Sequence, residues 1–170
     1  MHFETKIRKI VENYVDANNI LALAKRNVMT RWSKQTIDLE VDSPDRDWYW
    51  GVECKSTTVK KTPVILYFSN TFHPGQYENL CTFFEKSGRR GYLAVEVGFN
   101  KNNRGEMSHP KKRKTFIIDW NEVVKVYDAG EKSFRFLCKD SSDDIPYRVL
   151  KKIDSREYNV QEAFGIGNEK

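Results

Sequence analysis

Residues 49–61 read YWGVECKSTTVKK. Taken with the residue before it, the stretch alternates. Trp48, Trp50, Val52 and Cys54 fall on one face of an extended chain, and Tyr49, Gly51, Glu53 and Lys55 on the other. Upstream, TIDLEVD (36–42) alternates in the same way, with Ile37, Leu39 and Val41 opposed to Asp38, Glu40 and Asp42. The intervening SPDRD (43–47) carries turn residues, so the pattern predicts a β-hairpin. A loop of two residues (Asp45, Arg46) or four (44–47) makes facing residue numbers sum to 91. Asp38 then stands opposite Glu53, with Cβ atoms about 5 Å apart. Asp42 would face Tyr49, four residues and roughly 13 Å further along. An odd loop breaks this register and leaves Asp42 as the alternative to Asp38. Two readings compete for Glu53 and Lys55. One is a solvated strand paired by its own charges, and the other is half of a metal site.

Working outward, residues 3–16 predict an amphipathic helix with Phe3, Ile7, Ile10, Val11, Tyr14 and Val15 on its apolar face. ILALA (20–24) either extends that helix or opens a strand. PVILYFS (63–69) predicts a third strand. FHPGQYENLCTFFEKSG (72–88) predicts a helix stopped by Gly88, with the aromatic stripe Tyr77, Phe83 and Phe84 serving as core or as dimer surface. GYLAVEVG (91–98), KTFIIDW (114–120) and KSFRFLCK (132–139) read as strands, NEVVKVYDAG (121–130) as a short helix and DDIPYRVLKKI (143–153) as a docking segment. The expected fold is α/β, a mixed central sheet flanked by helices, in one domain over 1–158 with a loose tail over 159–170.

The 170 residues are 39% apolar, enough for a core without covalent staples. Cys54, Cys81 and Cys138 show no zinc-site spacing, which suits a reducing intracellular setting. No apolar run reaches about 18 residues and the N-terminus is unlike a signal peptide, so a soluble, cytoplasmic protein is expected. The net charge is +5. Lys101, Arg104, Lys111, Lys112, Arg113 and Lys114 cluster against one acid, Glu106, which suits either phosphate contact or a solvated loop.

Carboxylate oxygens are natural ligands for Mg²⁺, which retains several of its waters. A divalent ion between Asp38 and Glu53 would activate water, and Lys55 beside it would orient that water or stabilise charge on a phosphate. The group Asp38, Glu53 and Lys55 thus has the equipment for metal-assisted phosphodiester hydrolysis.

The order of features carries a more specific signal than Glu-x-Lys alone. An Asp…Glu-x-Lys hairpin reads ECKSTTVKKT at its second strand. It is followed by an apolar strand, then FHPGQ at a helix start, then GRRGYLAVEV. Over residues 1–125 this resembles the PD-(D/E)xK nuclease superfamily, and within it the Holliday junction resolvases of the RecU type and also of the Hjc type. The resemblance implies a restriction-endonuclease-like core, Mg²⁺ or Mn²⁺ as cofactor, and a homodimer that cuts four-way DNA junctions symmetrically. It implies Asp38 and Glu53 as metal ligands with the Cys54 carbonyl as a third, Lys55 as the catalytic lysine, and Gln76 at the edge of the site on a helix N-terminus. It also implies an acid on the first helix, for which Glu4 fits, with Glu12 as the alternative. The interval from Glu4 to Asp38 is short for the projecting stalk of RecU-type enzymes, so any stalk is reduced and lies around KRNVMTRWSK (25–34).

Further DNA contacts are expected from Arg31 and Lys34 in that segment, with Trp32 as a base-stacking candidate. Lys60 and Lys61 lie just past the active strand, where a phosphate backbone would pass. His73 either touches phosphate or packs at its helix entry. Arg89 and Arg90 either grip DNA or solubilise a turn, and Arg104, Lys111, Lys112 and Arg113 extend the DNA surface. Alternation places Trp48 and Trp50 in the core. The rival functions are another endonuclease of the superfamily, of restriction or repair type and acting on duplex or flaps, a catalytically inactive nucleic-acid-binding module, and a protein-binding domain.

Overall fold

The computed structural model describes residues 2–27, 37–59, 64–99, 112–136, 147–154 and 157–167. Helix α1 (Phe3–Ala17) is followed by β1 (Leu23–Arg26), β2 (Leu39–Asp42), a 3-10 turn (Arg46–Trp48) and β3 (Trp50–Val59). Then come β4 (Val64–Tyr67), α2 (Phe68–Thr71), α3 (Gln76–Ser87), β5 (Arg90–Phe99), β6 (Lys112–Asp119) and α4 (Trp120–Asp128). The remaining elements are β7 (Ser133–Phe136), β8 (Tyr147–Leu150) and α5 (Val160–Phe164). The strands form a mixed six-stranded sheet in the order β1-β2-β3-β5-β6-β8 and a separate pair, β4-β7. Strands β3 and β5 run parallel, and the other neighbours in the large sheet are antiparallel. This is the α/β class that the sequence pattern implies.

The hairpin register is the one that the alternation predicts. Leu39 faces Val52, Glu40 faces Gly51 and Val41 faces Trp50, so the pairs sum to 91. Eight residues, 42–49, separate the last paired positions Val41 and Trp50, more than the two or four expected, but the span is centred on the same point and preserves the register. The 3-10 turn fills it, with Asp45 accepting a hydrogen bond from the Asp47 amide. The segment 20–24 leads into a strand, β1, and does not extend α1.

Each face of the sheet has its own core. On one, α1 buries Phe3, Ile7, Ile10, Val11 and Val15 against Trp48, Trp50, Val52 and Cys54. On the other, α3 and α4 bury Tyr77, Leu80, Phe84, Trp120 and Val123 against Leu93, Val95 and Val97. The expected third strand, β4, is absent from the large sheet. It pairs with β7 and adds Val64, Leu66 and Phe134 to this second core. Glycine at 91 permits the close approach of α3 and α4. A Cβ there would lie 2.7 Å from the Trp120 Cβ and 2.8 Å from the Phe84 ring.

The loose tail expected from residue 159 is corrected by the structure. Val160, Ala163, Phe164 and Ile166 are buried in the first core. Phe164 stacks on Trp50 at 4.6 Å, and the Tyr92 hydroxyl donates to the Phe164 carbonyl at 2.6 Å. The apolar spacing of VQEAFGI, a short amphipathic turn, is the physical reason. Among the described residues no helix is long and apolar enough to cross a membrane.

Candidate active site

Asp38 lies one residue before β2, at the point where that strand stops pairing with β3. Its Oδ2 accepts a hydrogen bond from the Cys54 amide at 2.8 Å. The Cys54 carbonyl leaves the same strand edge as its amide and so also points towards Asp38. The Cys54 side chain is buried on the opposite face of β3, in the first core. Burial raises its thiol pKa well above the ordinary value, and the charges of Asp38, Glu53 and Glu4 add to the shift. Glu4 on α1 therefore lies within electrostatic reach of this end of β3. One of its carboxylate oxygens is buried without a hydrogen bond, and Arg26 approaches it at 3.9 Å. Glu12 instead pairs with Arg8 one turn away on α1.

Glu53 is buried at 3% exposure, and two side chains meet at its carboxylate. Lys55 Nζ lies 2.8 Å from Oε1, and Gln76 Nε2 donates to the same oxygen at 2.7 Å. Lys55 in turn donates to Gln76 Oε1 at 3.2 Å, and so does the His73 backbone amide at 3.1 Å. One amide side chain thus uses both ends to brace the Glu53–Lys55 ion pair. Gly75, at φ +76°, makes the turn that starts α3 and delivers Gln76 to this position. Lys55 also sits over the Phe72 ring, 5.7 Å from its centroid.

Burial, followed by the charge of Asp38, raises the Glu53 pKa from its ordinary 4.5 to about 7; Lys55 and Gln76 pull in the other direction. The folded metal-free protein thus binds a proton that the unfolded chain releases. Stability from this proton is fully present below pH 4.5 and is lost as pH rises through about 7. Between about pH 5 and 8 the wild type should lose on the order of 2–3 kcal/mol relative to Glu53→Gln, measured by urea unfolding without metal. Parallel pH profiles for the two proteins would contradict the assignment.

No family model matches the chain, and no curated protein matches it. Among solved structures it is similar to Hjc of Archaeoglobus fulgidus, described as a Holliday junction resolvase from an archaeal hyperthermophile. The identity is 20%, the TM-score is 0.45, and the match covers 81% of this chain and 86% of that one. The functional reading rests on the side chains themselves.

The structure brings together Asp38, Glu53, Lys55 and Gln76, with Glu4 nearby, as the sequence implies. Asp42 is excluded as a substitute for Asp38, because it lies at the far end of β2 and is paired with Arg89. The expectation that Arg89 contacts DNA is corrected. Its side chain is 9% exposed and is engaged by Glu40, Asp42 and the Val41 carbonyl, with its guanidinium over the Tyr49 ring. It is a tie between the β2–β3 hairpin and the end of α3. Arg90 is likewise held, by Asp119 and the Gly165 carbonyl, at the start of β5. His73 leaves its ring exposed and contributes its backbone amide to Gln76. Trp48 and Trp50 are core residues, as alternation requires. Arg31, Trp32, Lys34, Lys60, Lys61, Arg104 and Lys111 lie outside the described residues, as does the side chain of Lys112.

Glu96 escaped the sequence reading. It is buried on β5 in the register position beside Ser56 of β3 and holds Lys6 and Arg113. A lone acid inside the apolar run GYLAVEVGF was the available signal.

Proposed function

We propose that the chain is a divalent-metal-dependent endodeoxyribonuclease that cuts four-way DNA junctions as a homodimer. The observation that carries this reading is the buried Glu53, whose pKa is raised partly by Asp38 while one of its oxygens is held by both Lys55 and Gln76. Two like charges crowded at a strand end are costly unless a cation joins them, and that is the environment a hard divalent ion relieves. Among the described residues no cluster of three His, Cys, Asp or Glu side chains could hold a metal. Two carboxylates, the Cys54 carbonyl and retained waters suit Mg²⁺ or Mn²⁺, which need few protein ligands.

When bound, the ion would lower the pKa of a coordinated water and offset phosphate charge. Asp38 and Glu53 would hold it, and the Cys54 amide fixes the Asp38 carboxylate in place. Lys55 would present its ammonium to the attacked phosphate, where it stabilises charge that grows in the transition state. Gln76 keeps Lys55 and Glu53 in fixed relation before substrate arrives. Two incisions related by symmetry need two identical sites, which a homodimer supplies.

The test is cleavage of a labelled four-way junction beside matched linear duplex and a flap, with Mg²⁺, Mn²⁺ or EDTA. Paired symmetric cuts confined to the junction and lost in EDTA are expected. Equal cutting of linear duplex would retain the nuclease and discard the resolvase. Calorimetric titration with Mn²⁺ should show heat in the wild type that Asp38→Asn reduces at least about tenfold in affinity. Undiminished heat in Asp38→Asn would move the metal elsewhere.

A further inference from the structure

Glu96 is a carboxylate at 4% exposure that the proposed chemistry does not use. Lys6 of α1 donates to one of its oxygens at 2.9 Å. Arg113 of β6 and the Ser56 hydroxyl of β3 reach the other, at 2.5 Å and 3.3 Å. Burial alone would raise this carboxyl's pKa, but the two cations together hold it below the ordinary value. Three elements distant in sequence thus converge on one buried acid.

The balance of charge distinguishes this cluster from the other buried network. At Arg89 one cation meets two acids, and the cation is 9% exposed. At Glu96 one acid meets two cations, so a positive charge is left over. Both cations keep an outward face, with side-chain exposures of 35% for Lys6 and 45% for Arg113. An acid that orients two basic groups while leaving their outer donors free is suited to bind an anion.

Position supplies the second argument. Ser56 lies two residues beyond Cys54 on the same face of β3, about 7 Å along the strand. Lys6 lies two residues beyond Glu4 on α1. The cluster therefore lies on the α1 face of the sheet, further along β3 than Cys54 and opposite the face from which Glu53 and Lys55 project.

We propose that Lys6 and Arg113, held by Glu96, form a phosphate clamp that grips the DNA backbone on the α1 side of the sheet, with Glu96 as its positioning residue. The inference rests on DNA being the substrate.

The experiment measures equilibrium binding of a fluorescein-labelled four-way junction in EDTA over a salt titration. Each phosphate contact contributes a slope of about 0.9 in log K against log salt. Lys6→Gln with Arg113→Gln, which keeps neutral donors near Glu96, should reduce the slope by roughly 1.5–2. Removal of two exposed lysines elsewhere, Lys125→Ala with Lys152→Ala, should change it by less than about 0.5. Glu96→Gln should weaken binding at least about fivefold although it makes the protein more positive, which is opposite in sign to a bulk charge effect. Circular dichroism confirms that each variant is folded. An unchanged slope in the Lys6 and Arg113 variant overturns the clamp, as does tighter binding by Glu96→Gln or no junction binding by the wild type. Should the expected slopes appear in a protein that cuts nothing, the clamp stands and the nuclease reading falls. Unchanged slopes in a protein that cuts junctions give the reverse.

Discussion

Lys55→Ala is expected to slow junction cleavage by about 10²–10³-fold, with junction binding in EDTA nearly unchanged. The ammonium is half enclosed, 2.8 Å from Glu53 and 3.2 Å from the Gln76 carbonyl oxygen, so its position is fixed before substrate arrives. Its loss acts twice. A donor for developing phosphate charge disappears, and Glu53 loses a cation that holds its pKa down. The second effect predicts that part of the defect is recovered at higher pH, because deprotonating Glu53 then depends less on a neighbour. Lys55→Arg should rescue poorly, since a planar guanidinium does not fit between two acceptors set for a compact ammonium. Single-turnover rates at pH 7 and 9 measure both effects. Cleavage by Lys55→Ala within about threefold of wild type would remove the lysine from the chemistry.

Phe164→Ala should destabilise the protein by about 3–5 kcal/mol, lowering Tm by roughly 6–20 °C. The ring is fully buried, stacked on Trp50 at 4.6 Å and met edge-on by Tyr92 at 5.0 Å. Truncation leaves a cavity beneath two aromatic residues. A chain ending at Tyr158 should behave at least as badly. Thermal melts followed by circular dichroism decide the matter, and a Tm within about 3 °C of wild type would return this segment to the status of a tail.

The carboxylate pair was legible because parity is robust. Any even connection centred between Asp45 and Arg46 leaves Asp38 across from Glu53, whatever shape the loop takes, and the 3-10 turn did not disturb it. Alternation likewise separated Trp48 and Trp50 from Glu53 and Lys55. Signals of another kind were silent. PVILYFS has the apolar character of a central strand, but nothing in it says that its partner is β7 and not β3. Arg89 and Arg90 form an adjacent pair of cations, and only the fold shows each facing its own acid. The pairing of Lys6 with Glu96 spans ninety positions, beyond the reach of any local pattern. Phe164 sits in a helix of five residues, too short for its apolar spacing to stand out as a period.

The stacking of Phe164 on Trp50 also constrains when the carboxylate-bearing strand gains its full packing during synthesis. The strand bearing Glu53 and Lys55 is complete once Val59 is made, but its parallel neighbour β5 and its aromatic cover from α5 come much later. At about 5–20 residues per second the ribosome needs on the order of 5–20 s to travel from Val59 to Phe164. Through that interval the strand that bears Glu53 and Lys55 exists without the packing that shapes it, and its first core closes only after Phe164 has been made.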